Sequence, residues 1–272
     1  MDLDLSSYFS QATRTYNNPS QIARKVTETW ARDNLYCPRC GYPLEPYKDN
    51  TKVYDFYCDH SDQRFLLASS SIDDFQLKST KSFPYNYFPS KLIGAEYYTT
   101  IRSLEEGVFP SLILLHYDRA EMEVQDGLFI HRLSVTRNSI NQRKPLSERA
   151  VRRNWVGAEI LLNNIPEIGK IDMIHESRIV PKETVMSGWT SVERVFKGDL
   201  ENRGWISDVM LVVDELPEVF SLDDIYSYTS RLGERHPNNM HVKDKIRQQL
   251  QVLRDQGYLK FVSRGKYQRM GH

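Results

Sequence analysis

The most regular alternation of apolar and polar positions lies in the C-terminal third of the chain. In WISDVMLVVDEL, SLDDIYSYTSRL and HVKDKIRQQLQVLRDQG, apolar residues recur every three or four positions, the period that gathers them on one face of a helix. Ser221 and Asp224 form a capping box at the start of the second segment, with aspartate where Glu or Gln is more usual, and Gly257 closes the third. YLKFVSRGKYQRM then reads as two short strands turned around Ser263, Arg264 and Gly265. Three helices followed by a basic hairpin predict a winged helix-turn-helix whose third helix reads a DNA groove.

On that third helix Ile246, Leu250 and Leu253 make the inward stripe, leaving Lys243, Lys245, Arg247, Gln248 and Arg254 to face DNA. Lys and Arg suit phosphates, while Arg247 or Gln248 could reach base edges. Arg264, Lys266 and Tyr267 sit on the expected wing. A winged helix can also bind protein; basic residues gathered on the third helix and the wing together favour nucleic acid.

Upstream, PSQIARKVTETWARD spaces Ile22, Val26 and Trp30 as a helix does, with Pro19 and Ser20 as a start signal. VYDFY and FQLK alternate as strands do, SLILLHY is an apolar run suited to a buried strand, and GLFIHRLSV predicts a further strand. SKLIGAEYYTTIRSLEEG reads as one helix that stops at Gly107. The expectation is an α/β core with helices against a central sheet over residues 1–196, then the winged helix over 197–272, with the boundary near Arg194 to Gly204.

Composition adds limits rather than detail. The 272 residues are 40% hydrophobic and 26% charged, enough for each part to bury a core. No apolar run approaches the roughly 18 residues of a membrane span, and MDLDLSSYFS lacks the order of a signal peptide, so a cytoplasmic, prokaryotic protein without a membrane partner is expected. The zero net charge hides an asymmetry: residues 233–272 carry nine Lys and Arg against three Asp and Glu, and residues 199–224 are acidic. A second basic stretch holds Arg143, Lys144, Arg149, Arg152 and Arg153 against Glu148, so two regions could grip one polyanion.

All three cysteines fall in YCPRCGYPLEPYKDNTKVYDFYCDHS. Cys37 and Cys40 have the spacing of a zinc knuckle, and Cys58 arrives where a second pair should begin. The place where that pair should end is Ser61, and His60 is the nearest substitute for a fourth ligand; the alternative is three thiols and no metal. Asp55 lies on a strand just before Cys58, and in DDFQLK a two-residue period puts Asp74, Gln76 and Lys78 on one face. An acid on one strand, with an acid or amide and a lysine on the next, is the set that Mg2+-dependent phosphodiester hydrolysis uses. By itself that pattern is common.

The stretches YCPRCG, DFYC, DFQLKS, INQRKPL, RRNWVG, NRGW, KDKIRQQLQVLRD and RGKY make the chain resemble the DpnI-type methyl-directed restriction endonucleases along nearly its whole length. The resemblance implies a PD-(D/E)xK nuclease domain with a structural Zn2+ site, a winged helix after it, and double-stranded DNA with N6-methyladenine in GATC as partner of a chain that is monomeric without DNA. It puts the catalytic residues, which also hold Mg2+, on Asp55 and Gln76, with Lys78 beside them. Zinc ligands fall on Cys37, Cys40 and Cys58, and Trp155 takes part in base recognition. Two departures stand out: no fourth cysteine, with an extra stretch DQRFLLASSSI expected to lengthen a loop, and Gln76 in place of glutamate. They motivate a second reading, a non-cleaving reader of methylated DNA.

Overall fold

The computed structural model describes residues 1–47, 54–71, 88, 90–149, 151 and 153–270. They divide into two units, one of Met1–Leu92, Phe109–Arg132 and Lys170–Thr190 and one of Ile93–Val108, Leu133–Gly169 and Ser191–His272.

In the first unit the helix Pro19–Asn34 begins as its sequence signals predict: the Asn18 side chain accepts from the Ser20 and Gln21 N–H groups, and proline fills the first turn. Its inward face is Val26, Thr27, Trp30 and Ala31. Strands β1 (Glu45–Pro46), β2 (Phe56–Cys58) and β3 (Gln63–Ser71) run antiparallel to one another in turn. β4 (Lys91–Glu96) belongs to a separate sheet. β5 (Ser111–Asp118) lies parallel to β3, and β6 (Glu123–Ile130) pairs antiparallel with β5. β7 (Ile140–Gln142) and β8 (Gly157–Leu161), both of the second unit, join β4 in a three-stranded sheet, while β9 (Lys170–His175) and β10 (Arg178–Ile179), of the first, complete its sheet to seven strands in the order β1-β2-β3-β5-β6-β9-β10. β5 is buried from Ser111 to Tyr117, as an apolar run flanked on both edges should be. Phe65, Phe129 and Trp189 meet at ring distances of 5.9 to 6.2 Å in the core beneath β3 and β6.

Two expectations need correction here. DQRFLLASSSI is no loop extension: Gln63–Ser71 is β3 itself, paired with β2 on one side and along its whole exit half with β5 on the other. Its Phe65-Leu66-Leu67-Ala68 centre is apolar, and pairing on both sides makes it an interior strand of the sheet. The segment expected to be one helix splits: Lys91–Glu96 is β4, and the helix is only Tyr97–Glu105, because the Glu96 side chain accepts from Thr99 N–H and starts the helix there. Gly107 does end it, at φ +70°. The strand FQLK, residues 75–78, lies outside the described residues.

The C-terminal part of the second unit folds as predicted, with one refinement. Helix Leu200–Glu215 leads into β11 (Val219–Ser221), and the capping box of Ser221 with Asp224 starts the next segment. That segment breaks into two helices, Leu222–Tyr226 and Thr229–Arg235, separated at Ser227 and Tyr228. The third helix, Val242–Asp255, ends at Gly257 with φ +79°, and β12 (Leu259–Ser263) and β13 (Lys266–Arg269) form the wing in a sheet ordered β11-β13-β12.

Candidate functional site

The cysteine knuckle is closed by its own backbone: Cys37 N–H donates to Tyr42 O at 2.7 Å and Gly41 N–H to Cys37 O at 2.8 Å. Gly41 takes φ +76°, the conformation that calls for glycine, and a Cβ there would push against the tip of Lys182, 2.7 Å away at Cε. Lys182 Nζ donates to Gly41 O at 2.6 Å and pins the turn. Cys58, the last residue of β2, brings the third thiol, and the three Sγ atoms lie within 4.8 Å of one another. A zinc tetrahedron with ~2.3 Å bonds has S–S edges of about 3.8 Å, so the three thiols fit one soft ion; they are the one such group of His, Cys, Asp and Glu ligands among the described residues. Burial pushes the Cys37 thiol up to about 12, against the hydrogen bond from Ser61. Burial also raises Cys40, but the Tyr42 N–H and the side chains of Cys58, Ser61 and Cys37 outweigh it and leave that thiol below its ordinary value.

His60 stands apart from this cluster. Its ring is exposed and stacks on Tyr42 with centroids 3.7 Å apart and planes 6° apart. The side chain nearest the missing corner is Ser61, whose Oγ lies 3.1 Å from Cys37 Sγ.

Asp55 is held at the entry to β2. Its N–H donates to Phe65 O at 2.8 Å, its carbonyl accepts from Tyr47 N–H at 2.9 Å, and its carboxylate Oδ2 accepts from Leu67 N–H of β3 at 2.7 Å. Half-burial raises its pKa above the ordinary 3.8, opposed by the Leu67 hydrogen bond; Glu28 adds to the rise and Arg24 lowers it. Glu28 is itself paired with Arg24 at 2.5 Å and with Lys25 at 3.4 Å. The carboxylate therefore rests on β3 between Leu66 and Ala68. Gln76, Lys78 and Asp74 lie outside the described residues, and the described residues around Asp55 do not by themselves complete a magnesium site.

On the third helix of the winged domain, Ile246, Gln249, Leu250 and Leu253 are buried and Lys243, Arg247, Gln248 and Arg254 exposed. Lys243 Nζ and Arg247 Cζ lie 5.1 and 5.6 Å from the centre of the Tyr226 ring, which holds both cations on one aromatic. Lys245 instead donates to Asn202 Oδ1 at 3.1 Å, and Arg254 pairs with Asp255 at 2.8 Å. Arg264 and Lys266 are exposed on the wing, whereas Tyr267 packs between Phe220 and Phe261 at 5.8 and 5.9 Å. Tyr226 and the wing residues Phe261 and Val262, which are 48% and 51% exposed, escaped the sequence reading because no charge pattern marks them. Trp155 is half-buried, its ring lying over Gly157, where a Cβ would meet the ring at 2.8 Å. It follows a surface loop that exposes Lys144, Arg149 and Arg153.

Within the second unit, Asp208 is 1% exposed and accepts from Asn138 at 2.6 Å, Arg235 at 2.6 Å and His236 Nε2 at 2.8 Å, and the His236 ring stacks on Trp205 at 3.8 Å. This network fastens the 3-10 turn Arg137–Ser139 to the winged-helix scaffold. Among the described residues no helix is long and apolar enough to cross a membrane.

Residues 3–197 match the family model described as DpnI, the Dam-replacing family, and residues 201–269 match the model described as the Dam-replacing HTH domain. With both models in order and nearly the full chain covered, the protein belongs to the DpnI family of methyl-adenine-directed DNA-cleaving enzymes, a nuclease-like α/β domain with a cysteine cluster followed by a separate helix-turn-helix domain.

Proposed function

We propose that the chain is a site-specific endodeoxyribonuclease that cuts double-stranded DNA at GATC sites containing N6-methyladenine, with residues 1–196 as the nuclease domain and 197–272 as the winged helix. The observation that carries this reading is Asp55, a carboxylate fixed by Leu67 N–H at the entry to β2, in a chain of this family. Asp55 and Gln76 would hold Mg2+, which when bound activates water and offsets charge on the phosphate. Lys78 orients the nucleophile or faces the charge that develops on the phosphate. Cys37, Cys40 and Cys58 hold Zn2+ and so clasp the end of β2 three residues beyond Asp55. Lys243, Arg247 and Gln248 enter the groove, Arg264 and Lys266 take phosphates, and Trp155 contributes to recognition from the nuclease domain. A shaped apolar pocket for each methyl group is worth on the order of 1 kcal/mol, and two readers checking it multiply the discrimination.

The test is digestion, with purified protein and Mg2+, of plasmid from adenine-methylating and non-methylating hosts. Fragmentation of the methylated plasmid alone is expected; equal treatment of both sinks the proposal.

One observation favours a second reading, a methyl-adenine reader that does not cut. The strand that receives the Asp55 carboxylate carries Leu66 and Ala68 on either side of the contact, and neither can ligate a cation or supply a charge. Under this reading methylated duplex shifts in a gel with no cleavage in Mg2+ or Mn2+, and Lys78→Ala leaves both results unchanged. Cleavage that disappears in Lys78→Ala and Gln76→Ala with binding intact excludes it.

A further inference from the structure

The turn Asp59–Asp62 decides which side chain completes the cysteine cluster. β2 and β3 are paired as Cys58 with Gln63, so the residues between them form a tight loop, with Asp62 at φ +52°. In that loop His60 sits at the exposed outer face and is occupied by Tyr42, while Ser61 turns back towards the thiols. The Ser61 carbonyl accepts from Arg39 Nη1 at 3.3 Å and from Gln63 Nε2 at 3.4 Å, which fixes the residue from both sides of the knuckle. Its hydroxyl then lies 3.1 Å from Cys37 Sγ, across from the Cys40–Cys58 pair at 3.4 Å. Both distances are somewhat shorter than the edges of a zinc tetrahedron, and with the three Sγ atoms within 4.8 Å of one another they put the Ser61 hydroxyl beside the three-sulfur set.

We propose that the site takes a soft divalent ion on Cys37, Cys40 and Cys58 with the Ser61 hydroxyl, or a water held by it, at the fourth corner, and that His60 is not a ligand. A neutral oxygen is a weak donor to such an ion beside three thiolates, so the ion is held less tightly and exchanges faster than in a four-thiolate site. The ion remains a clasp for β2, but one that a competing chelator can open. This inference stands whether or not the protein cuts DNA.

Cobalt reports the donor set directly, because each thiolate bond adds charge-transfer absorption in the near ultraviolet and the visible bands report tetrahedral geometry. The full-length protein titrated with Co2+ after removal of its metal is expected to show the intensity of three thiolate bonds. Ser61→Cys should raise it to that of four and tighten binding by about tenfold or more in competition with a chelator, with the added charge-transfer intensity marking a new bond to the ion rather than an outer-shell change. His60→Ala should leave spectrum and affinity unchanged, with circular dichroism confirming that each variant is folded. The proposal is overturned if wild-type protein takes up no cobalt, if His60→Ala shifts the bands or loses the ion, or if a folded Ser61→Cys matches wild type in both intensity and affinity.

Discussion

The winged helix and the entry to β2 at Asp55 differ in how much of their function is carried by neighbours in sequence. In the winged helix the main working parts are local: a capped helix start, a buried stripe and cations one turn apart on the same helix, with Tyr226 of an earlier helix beside them. At Asp55 the partners come from elsewhere: Leu67 from the next strand, Glu28 and Arg24 from a helix before it, and the cysteine clasp from both sides. DNA binding can therefore survive changes that remove chemistry, and the two properties should separate under mutation.

The largest separation is expected from Asp55→Ala. Cleavage of methylated duplex should fall by on the order of 10³-fold, while the mobility shift of the same duplex persists. Loss of both together would mean that Asp55 serves the fold. The converse perturbation is Asp208→Ala, which leaves Arg235 without its buried partner; unfolding in urea should show a loss of about 3–5 kcal/mol with the Asp55 region untouched in sequence. Arg247→Ala should weaken binding by about 1–3 kcal/mol and relax base preference, whereas Lys266→Ala should weaken all sequences alike and reduce the salt slope by about one. A steeper loss in Lys266→Ala than in Arg247→Ala would reverse these roles.

The smallest effect is in pH. Because burial raises Asp55, its carboxylate in the metal-free protein protonates at higher pH than an ordinary aspartate at 3.8, whereas a bound Mg2+ would favour the charged form. The same shift has a stability sign: between 3.8 and the native value the unfolded chain has already lost its proton, so stability declines as pH rises across that interval and is flat above it. Asp55→Asn should flatten the decline, which a denaturant series at several pH values would reveal.

The winged helix was legible because its signals are short-range. The Ser221 capping box, the Ile246, Leu250 and Leu253 stripe and the Gly257 and Gly265 turns all stand where the sequence puts them. β5 was legible for a related reason: an unbroken apolar run has one comfortable place, the middle of a sheet. Lys91–Glu96 was misread because Leu92 and Ile93 fit a helical period, and only the Glu96 cap shows where helix begins. β3 is hard to see in DQRFLLASSSI because its apolar centre is poor in β-branched residues, and strand pairing across 40 or more residues, as of Phe65 with Ser111, leaves no local mark. The knuckle spacing announced three ligands; which of His60 and Ser61 turns inward depends on a loop conformation that composition does not encode.

The most direct test of the central claim uses two short duplexes, identical except that the single GATC carries N6-methyladenine in one of them. Incubated with excess protein and Mg2+ in a single turnover, wild type should cut only the methylated duplex, and Asp55→Ala should bind it without cutting. Binding of the methylated duplex with no cut by wild type in Mg2+ or Mn2+, or equal cutting of both duplexes, would contradict the account.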